Sequence, residues 1–230
     1  MGQIFERKEI KYLLTKQQYQ SLMKSIKSHV LPDIHPQYCI TNLYFDTPDH
    51  RLIRRSLEKP LYKEKMRLRS YGPIKGTDPA YWELKKKFKG IVYKRRICQP
   101  LNTILDVFEN RQEWTDQVGL EIAHFSQIYP NLKPVMHISY ERMAYCGLMD
   151  SSLRITFDQN ILWREEALSL TSPLGGCPLL HEEEILMEIK CFGSMPLWIT
   201  KTLSEHQIFP SSFSKYGRAY GEKILLQNAA

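Results

Sequence analysis

Three stretches of the chain repeat apolar residues at a helical period. After Thr15, the residues Tyr19, Leu22, Met23, Ile26 and Val30 fall on one face. Thr15-Lys16-Gln17-Gln18 has the form of a capping box, with Gln18 placed to reach back to the cap. Trp114, Val118, Ile122, Phe125 and Tyr129 predict a second helix, and 196–206, with Pro196 in its first turn, a third. These stripes read as core-facing surfaces.

Most of the remaining chain alternates with period two. In Ile4–Leu14 the odd positions carry Arg7, Glu9 and Lys11. In Tyr62–Tyr71 they carry Lys63, Lys65, Arg67 and Arg69, with Met66 and Leu68 opposite. Tyr81–Phe88 sets Glu83, Lys85 and Lys87 against Trp82, Leu84 and Phe88. Ile91–Cys98 sets Lys94 and Arg96 against Ile91, Tyr93 and Ile97. Arg142 shares a face with Tyr140 and Ala144. Arg154, Thr156 and Asp158 oppose Leu153, Ile155 and Phe157, and Glu184, Glu188 and Lys190 oppose Ile185, Met187 and Ile189. With Tyr38–Asp46 these make eight expected strands.

Such alternation ordinarily means apolar inside and charge in water. Here mixed Arg, Lys and Glu recur on strand after strand, while helices are available to cover the apolar face. The expected fold is therefore α+β: an eight-stranded antiparallel β-barrel with helices packed outside and a charged tunnel within. An empty lumen of cations would be costly, because like charges repel and lose hydration. A lumen wide enough for water and a polyanion removes that objection. The whole chain, 1–230, is expected to be a single such domain.

Charge sharpens this picture. The 230 residues hold 32 Lys plus Arg against 25 Asp plus Glu, a net charge of +7. From Leu61 to Arg96 there are 12 basic residues and 3 acidic ones, a balance of +9, so the rest of the chain sums to −2. A basic protein of this kind has an anionic partner in prospect. Apolar residues at 43% and charged residues at 25% exclude disorder and coiled coil for the chain as a whole. No run approaches the length of a membrane span, and the charged start argues against a signal peptide. Gly2 lacks the Ser or Thr that a myristoylation motif wants at position 6, where Glu6 stands. Cys39, Cys98, Cys146, Cys177 and Cys191 are odd in number and contain no C-x-x-C. They are expected to be free thiols in a reducing cytoplasm.

At the charged strands the chain resembles a known family. Arg7-x-Glu9-x-Lys11-Tyr12, Tyr44-Phe45-Asp46-Thr47, Arg67-x-Arg69-x-Tyr71, Glu83-x-Lys85 and Lys94-x-Arg96 carry the resemblance. Tyr140-x-Arg142, Arg154-x-Thr156-x-Asp158, Glu188-x-Lys190 and Ser214-Lys215-Tyr216 continue it. In this order they resemble the polyphosphate polymerase domain of the vacuolar transporter chaperone (VTC) family, within the CYTH or triphosphate tunnel metalloenzyme superfamily. The resemblance implies an eight-stranded barrel around a triphosphate. It implies that Lys11, Arg67, Arg69, Lys85, Lys94, Arg142, Arg154 and Lys215 contact phosphates, with Arg7, Arg96, Lys190 and Ser214 assisting. It also implies that Glu188 holds a divalent cation, Mn²⁺ or Mg²⁺, with Glu9 close by. Many CYTH enzymes open with Glu-x-Glu-x-Lys, whereas Arg7 stands here in place of the first Glu. That favours the VTC branch over thiamine-triphosphatase or adenylate-cyclase branches. The 230 residues carry no counterpart of the sensor and membrane domains that accompany the eukaryotic polymerase.

The activity this implies is transfer of the γ-phosphate of ATP to a polyphosphate chain. Such transfer needs positioning and charge neutralisation more than a nucleophilic side chain. Water as acceptor would make the same site a triphosphate hydrolase. A polyphosphate-binding module without turnover is a further alternative, and a nucleic-acid-binding module another. Against nucleic acid, most aromatic residues take the apolar side of the strands, whereas stacking needs them beside the cations. Asp158 is expected to orient Arg154, and Glu83 is a second candidate for the cation. The seven histidines have no metal-ligand spacing.

Overall fold

The chain was analysed as a computed structural model, which describes residues 7–89, 91–110, 114 and 116–229. It divides into two compact units, each assembled from three stretches of chain. The first comprises Met1–Cys39, Tyr140–Ile161 and Pro178–Ser214. The second comprises Ile40–Ser139, Leu162–Cys177 and Lys215–Ala230. Two long strands, β2 (Val30–Asp46) and β6 (Lys133–Gly147), run through both.

In the first unit β1 (Arg7–Thr15) pairs antiparallel with β9 (Glu184–Phe192), which pairs antiparallel with β7 (Arg154–Arg164). The order continues through β6 to β2, and the two-residue β8 (Cys177–Pro178) lies against β7. Register sets apolar on apolar: Ile10 faces Ile189, Tyr12 faces Met187 and Leu14 faces Ile185. That side of the sheet packs beneath α1 (Lys16–Ile26) and α5 (Leu197–Glu205), burying Leu22, Ile26, Ile199 and Leu203. Each such side chain contributes roughly 1.5–3 kcal/mol by leaving water. The expected capping box is present. Thr15 Oγ1 accepts from the Gln18 amide at 3.1 Å, and Gln18 Oε1 accepts from the Thr15 amide at 3.1 Å.

In the second unit the order is β6-β2-β3-β4-β5, with β3 (Tyr62–Ser70), β4 (Pro79–Phe88) and β5 (Ile91–Pro100). Leu43, Phe45, Met66, Leu68, Trp82 and Leu84 form its apolar side. They pack with Leu101 and Ile104 of α3 (Leu101–Asn110) and with Ile122 and Phe125 of α4 (Gln117–Ile128). Asp116 caps α4 by accepting from the Gly119 amide at 3.0 Å. The α+β class and the antiparallel pairing are as expected. Among the described residues the paired strands run in order from β1 in the first unit to β5 in the second, with no pairing between β1 and β5, where a closed barrel was expected. The outer side of β1 is occupied by irregular chain. Tyr12 bridges Pro210, and the Ser211 amide donates to the Lys11 carbonyl at 2.7 Å. Pro210 has no amide with which to extend a ladder. Ile4, the first residue of the strand expected there, lies outside the described residues.

Three helices went unanticipated: α2 (Arg51–Leu57), α3 and α6 (Lys215–Ala229). Asp46 holds two of them. Its carboxylate is fully buried. Oδ1 accepts from the amides of Thr47 and Leu52, each at 2.8 Å, and Oδ2 from the Ile53 amide at 3.0 Å and Tyr216 Oη at 2.8 Å. The carboxylate thereby satisfies amides at the start of α2 that have no partner within the helix, and it anchors the first turn of α6. Tyr216 stacks on Tyr44 at 4.8 Å. Burial, then Asp46, pushes the Tyr216 phenol far above its ordinary range, so it stays a donor. Two motifs distant in sequence, Tyr44-Phe45-Asp46-Thr47 and Ser214-Lys215-Tyr216, thus join through Asp46, Tyr44 and Tyr216.

Two stability predictions follow from this packing. Asp46→Ala leaves buried donors unpaired and should cost about 3 kcal/mol in urea unfolding, against about 1 kcal/mol for Tyr216→Phe. A loss below 1 kcal/mol for Asp46→Ala would remove Asp46 from this role. His137 on β6 is fully buried, and neither ring nitrogen has a hydrogen-bond partner among the described residues. Burial, then Arg164, lowers its pKa to about 4 from 6.5. The unfolded chain therefore binds this proton more readily than the folded one. The stability His137 contributes is full above pH 6.5 and is lost as pH falls toward 4, by up to roughly 3 kcal/mol. As pH falls from 6.5 toward 4, the urea midpoint of wild type should drop relative to that of His137→Met, which has no such proton to bind; parallel pH curves would overturn this.

Candidate phosphate and cation sites

Cross-strand register arranges the charged side of the second unit in rows. Tyr44, Arg67, Glu83 and Arg96 stand directly opposite one another across β2, β3, β4 and β5. Asn42, Arg69, Tyr81 and Cys98 form the next row. On the other side Lys65, Lys85 and Lys94 are aligned, and beyond them Lys63 and Lys87. Among the described residues, β3, β4 and β5 thus set eight cations and one carboxylate on a single face. Like charges directly opposite on adjacent strands are unfavourable. Lys63 records that crowding: burial, then Lys87, Lys59 and Lys85, lowers its pKa.

Glu83 is the hub of this face. It is buried, at 1% exposure. Its Oε2 lies 2.8 Å from Arg67 Nε, 2.7 Å from Arg67 Nη2 and 3.9 Å from Arg69 Nε. Its Oε1 lies 2.6 Å from Lys94 Nζ and 3.6 Å from Arg96 Nε. Burial alone would raise this carboxyl, but Arg67, Arg69 and Lys94 outweigh it and hold the pKa far below the carboxylate range. Arg67 also donates to Tyr44 Oη at 3.1 Å, and Arg69 donates to Asn42 Oδ1 at 2.9 Å. The guanidinium planes are therefore fixed before any ligand arrives. Burial lowers the Lys94 ammonium to about 8, against the upward pull of Glu83, while Arg67 and Arg69 add to the lowering.

The first unit carries a second charged cluster. Lys11 stands opposite Glu188, and Glu9 opposite Lys190. Lys11 Nζ lies 3.8 Å from Glu9 and 3.8 Å from Glu188. Lys190 Nζ lies 4.0 Å from Glu9 and forms a close ion pair with Glu188. Burial acts to raise the Glu188 carboxyl. Lys190, Lys11 and Arg142 prevail, and it is held well below its ordinary range. Arg142 meets Asp158 in a two-pronged pair, Nε–Oδ1 2.6 Å and Nη2–Oδ2 2.8 Å. Asp158 was expected to orient Arg154, so its partner differs. Arg154 stands opposite Lys190, reaches Asp33 at 2.7 Å and contacts Tyr38 Oη at 3.5 Å.

Lys11, Glu9, Arg142, Glu188, Lys190 and Arg154 thus share the first unit, while Arg67, Arg69, Lys85, Lys94 and Arg96 share a face of the second. Ser214 ends the first unit and Lys215 begins α6, following Phe213, whose carbonyl accepts from Lys11 Nζ at 2.9 Å. Arg7 opens β1 opposite Phe192, and its side chain lies outside the described residues. Lys63, Lys65 and Lys87 were not among the candidates, although their odd positions share the parity of Arg67 and Lys85. Asn42, Tyr44, Tyr71 and Tyr81 also stand with the cations, as strand parity would have shown. Asp33 and Tyr38 gave no local signal.

Glu9 and Glu188 offer hard carboxylate oxygens of the kind Mg²⁺ and Mn²⁺ accept. Among the described residues no three Asp, Glu, His or Cys side chains gather into a metal-binding group. Two carboxylates suffice for a cation whose remaining ligands are phosphate and water oxygens, so the residues fit such an ion in the presence of a phosphate ligand.

The family model for the VTC domain matches residues 6–222. The chain belongs to the VTC domain family. Solved structures of similar fold include a candidate adenylate cyclase from Bacillus halodurans, with TM-score 0.54 and 15% identity over 91% of this chain and 95% of that one. A candidate adenylate cyclase from Vibrio parahaemolyticus has TM-score 0.52 and 12% identity over 96% and 99%. A candidate adenylyl cyclase from Hippeastrum, described as having a dominant triphosphatase activity, has TM-score 0.51 and 15% identity over 92% and 94%. Comparison with curated protein sequences finds no match. This VTC domain therefore shares the fold of these three proteins. No described helix is long and apolar enough to cross a membrane.

The network around Glu83 predicts how Lys94 titrates. In wild type, NMR of methylated lysines should show Lys94 losing its proton near pH 8. In Glu83→Gln, which removes the charge that raises it, the midpoint should fall further. An ordinary lysine midpoint in both proteins would show that Lys94 does not sit in this network.

Proposed function

We propose that this VTC domain is a metal-dependent polyphosphate polymerase, transferring the γ-phosphate of ATP to the end of a polyphosphate chain. The observation that supports this reading is the face of eight cations around one buried carboxylate, in a member of the VTC domain family. Arg67, Arg69 and Arg96 offer planar donor forks to phosphate oxygens, and Lys85 and Lys94 add point charges. Lys11, Arg142, Arg154 and Lys215 are the further phosphate contacts, with Arg7, Lys190 and Ser214 assisting. Because Glu83, Asn42 and Tyr44 already orient Arg67 and Arg69, little reorganisation is needed when charge shifts during transfer.

Glu188, with Glu9, is proposed to hold the Mn²⁺ or Mg²⁺. When bound, that ion supplies charge neutralisation at the phosphates. Lys11 and Lys190 would then turn from the two carboxylates toward phosphate oxygens. A second reading, hydrolysis, uses the same residues with water as acceptor, and the triphosphatase activity described for the Hippeastrum protein favours keeping it. The proposed compartment is the cytoplasm, on the ground that the five cysteines are odd in number and contain no C-x-x-C.

The test is incubation with ATP and Mn²⁺ or Mg²⁺, followed by separation of the products. Long-chain polyphosphate is expected. Phosphate alone would replace polymerase by hydrolase, and intact ATP beside bound tripolyphosphate would leave a binding module. Arg67→Ala should weaken tripolyphosphate binding about tenfold, because a charge-assisted contact is lost. Glu188→Gln should keep that binding but lower turnover on the order of a hundredfold or more, as removal of a charge-neutralising ion costs several kcal/mol. Near-normal metal-dependent turnover by Glu188→Gln would take Glu188 out of the cation site.

A further inference from the structure

The cation rows of the second unit end in an aromatic group. Tyr81 stands directly opposite Arg69 on β3. The Arg96 guanidinium lies over its ring, with Cζ 3.7 Å from the ring centroid. Arg96 Nη2 also donates to Tyr71 Oη at 3.3 Å. Tyr71 meets Tyr81 edge to face, with centroids 5.5 Å apart and planes at 80°. Arg96 is held at its other end by Glu83, Nε to Oε1 3.6 Å, so the phosphate hub and the aromatic group share one side chain.

Burial grades along this group. Glu83 and Arg69 are buried, Tyr81 is half-buried, and Tyr71 is exposed to 49% of its surface. An exposed tyrosine is unremarkable alone. Here it accepts a hydrogen bond from a guanidinium that already covers a second tyrosine ring. Tyr71 stands one residue past the end of β3 and two after Arg69, at most about 7 Å along the chain, a gap that one ribose can bridge. Flat π surfaces and guanidinium planes bind nucleobases by stacking, without reading the base edge. An inorganic polyphosphate has nothing to place there, whereas a nucleoside triphosphate has a ring.

We infer that Tyr71, backed by Arg96 and Tyr81, is the platform on which the base of a nucleoside triphosphate stacks while its phosphates lie on the Arg67 and Arg69 rows. This rests on the phosphate-binding reading above and adds the nucleoside end of the donor. The platform carries no built-in hydrogen-bonding pattern for one base, so it selects nucleotides over inorganic chains rather than adenine over guanine.

The experiment titrates wild type, Tyr71→Ala and Tyr71→Phe with ATP, inorganic tripolyphosphate and a short single-stranded oligonucleotide, without divalent cation so that no ligand is consumed. Tyr71→Ala should weaken ATP binding about tenfold, the usual worth of one stacked base. Tripolyphosphate binding should stay within about twofold, and Tyr71→Phe, which keeps the ring, should bind ATP like wild type. Equal losses for ATP and tripolyphosphate, or no loss for either, would overturn the platform and leave the phosphate reading standing. An oligonucleotide that binds more tightly than ATP and is lost in Tyr71→Ala would replace the nucleoside triphosphate as occupant. Wild type that binds neither ATP nor tripolyphosphate would defeat the phosphate reading itself, and the platform with it.

Discussion

Cations that share one face of neighbouring strands repel one another, and the second unit tolerates them because one carboxylate is buried at their centre. Glu83 stands opposite Arg67 on one side and Arg96 on the other, and it reaches Arg69 and Lys94 diagonally. Burying a carboxylate this deeply would be expensive if it stood alone. With four cations around it, the same burial strengthens each attraction, since little water screens them. The arrangement depends on register. A one-residue slip of β4 would carry Glu83 to the apolar side and bring Trp82 and Leu84 among the cations. The packing of Trp82 and Leu84 against α3 and α4 therefore also fixes the electrostatics of the opposite face.

A second constraint ties chain ends to the sheet. Asp46 lies at the end of β2, two residues beyond Tyr44, whose hydroxyl accepts from Arg67. By accepting from Tyr216 it holds the start of α6, where Lys215 stands. Tyr44 touches both systems, stacking on Tyr216 and receiving Arg67. The residues of these two motifs are thus largely devoted to holding each other. Their presence in the sequence marks a way of closing helices onto β2.

Much of this was legible in the sequence because it rests on short-range periodicity. The Thr15 capping box needs four consecutive residues, and strand parity needs every second one. They set Gln18 at the helix cap and Arg67, Arg69 and Glu188 on the charged side of their strands, as the structure has them. The missing pieces depend on long separations. The helix at Arg51–Leu57 is only seven residues long, and its first amides are satisfied by Asp46, which precedes the helix by five positions. The pairing of Asp158 with Arg142 instead of Arg154 is set by how β6 and β7 align. Tyr71 and Tyr81 have the parity of Arg69 and Glu83. Parity alone does not separate an aromatic ring that stands beside cations from one that packs in the core, even where the ring belongs to the Arg67-x-Arg69-x-Tyr71 motif.

The two charged centres differ in a way that separates their chemical uses. Glu83 is gripped mainly by guanidinium groups, Arg67 through two nitrogens, with Arg69 fixed by Asn42 and Arg96 by Tyr81. A guanidinium fork locked in this way cannot swing aside without breaking several contacts at once. Glu188 is held instead by two ammonium groups, Lys11 and Lys190, each shared with Glu9. An ammonium on a flexible stem can leave a carboxylate for a phosphate oxygen at small cost, provided another cation takes its place. Glu188 and Glu9 are therefore the carboxylates that can exchange their partners, whereas Glu83 is built to keep its own. Under the proposed function, a divalent ion bound together with a phosphate chain would supply both things that exchange requires: positive charge for the carboxylates and negative charge for the lysines.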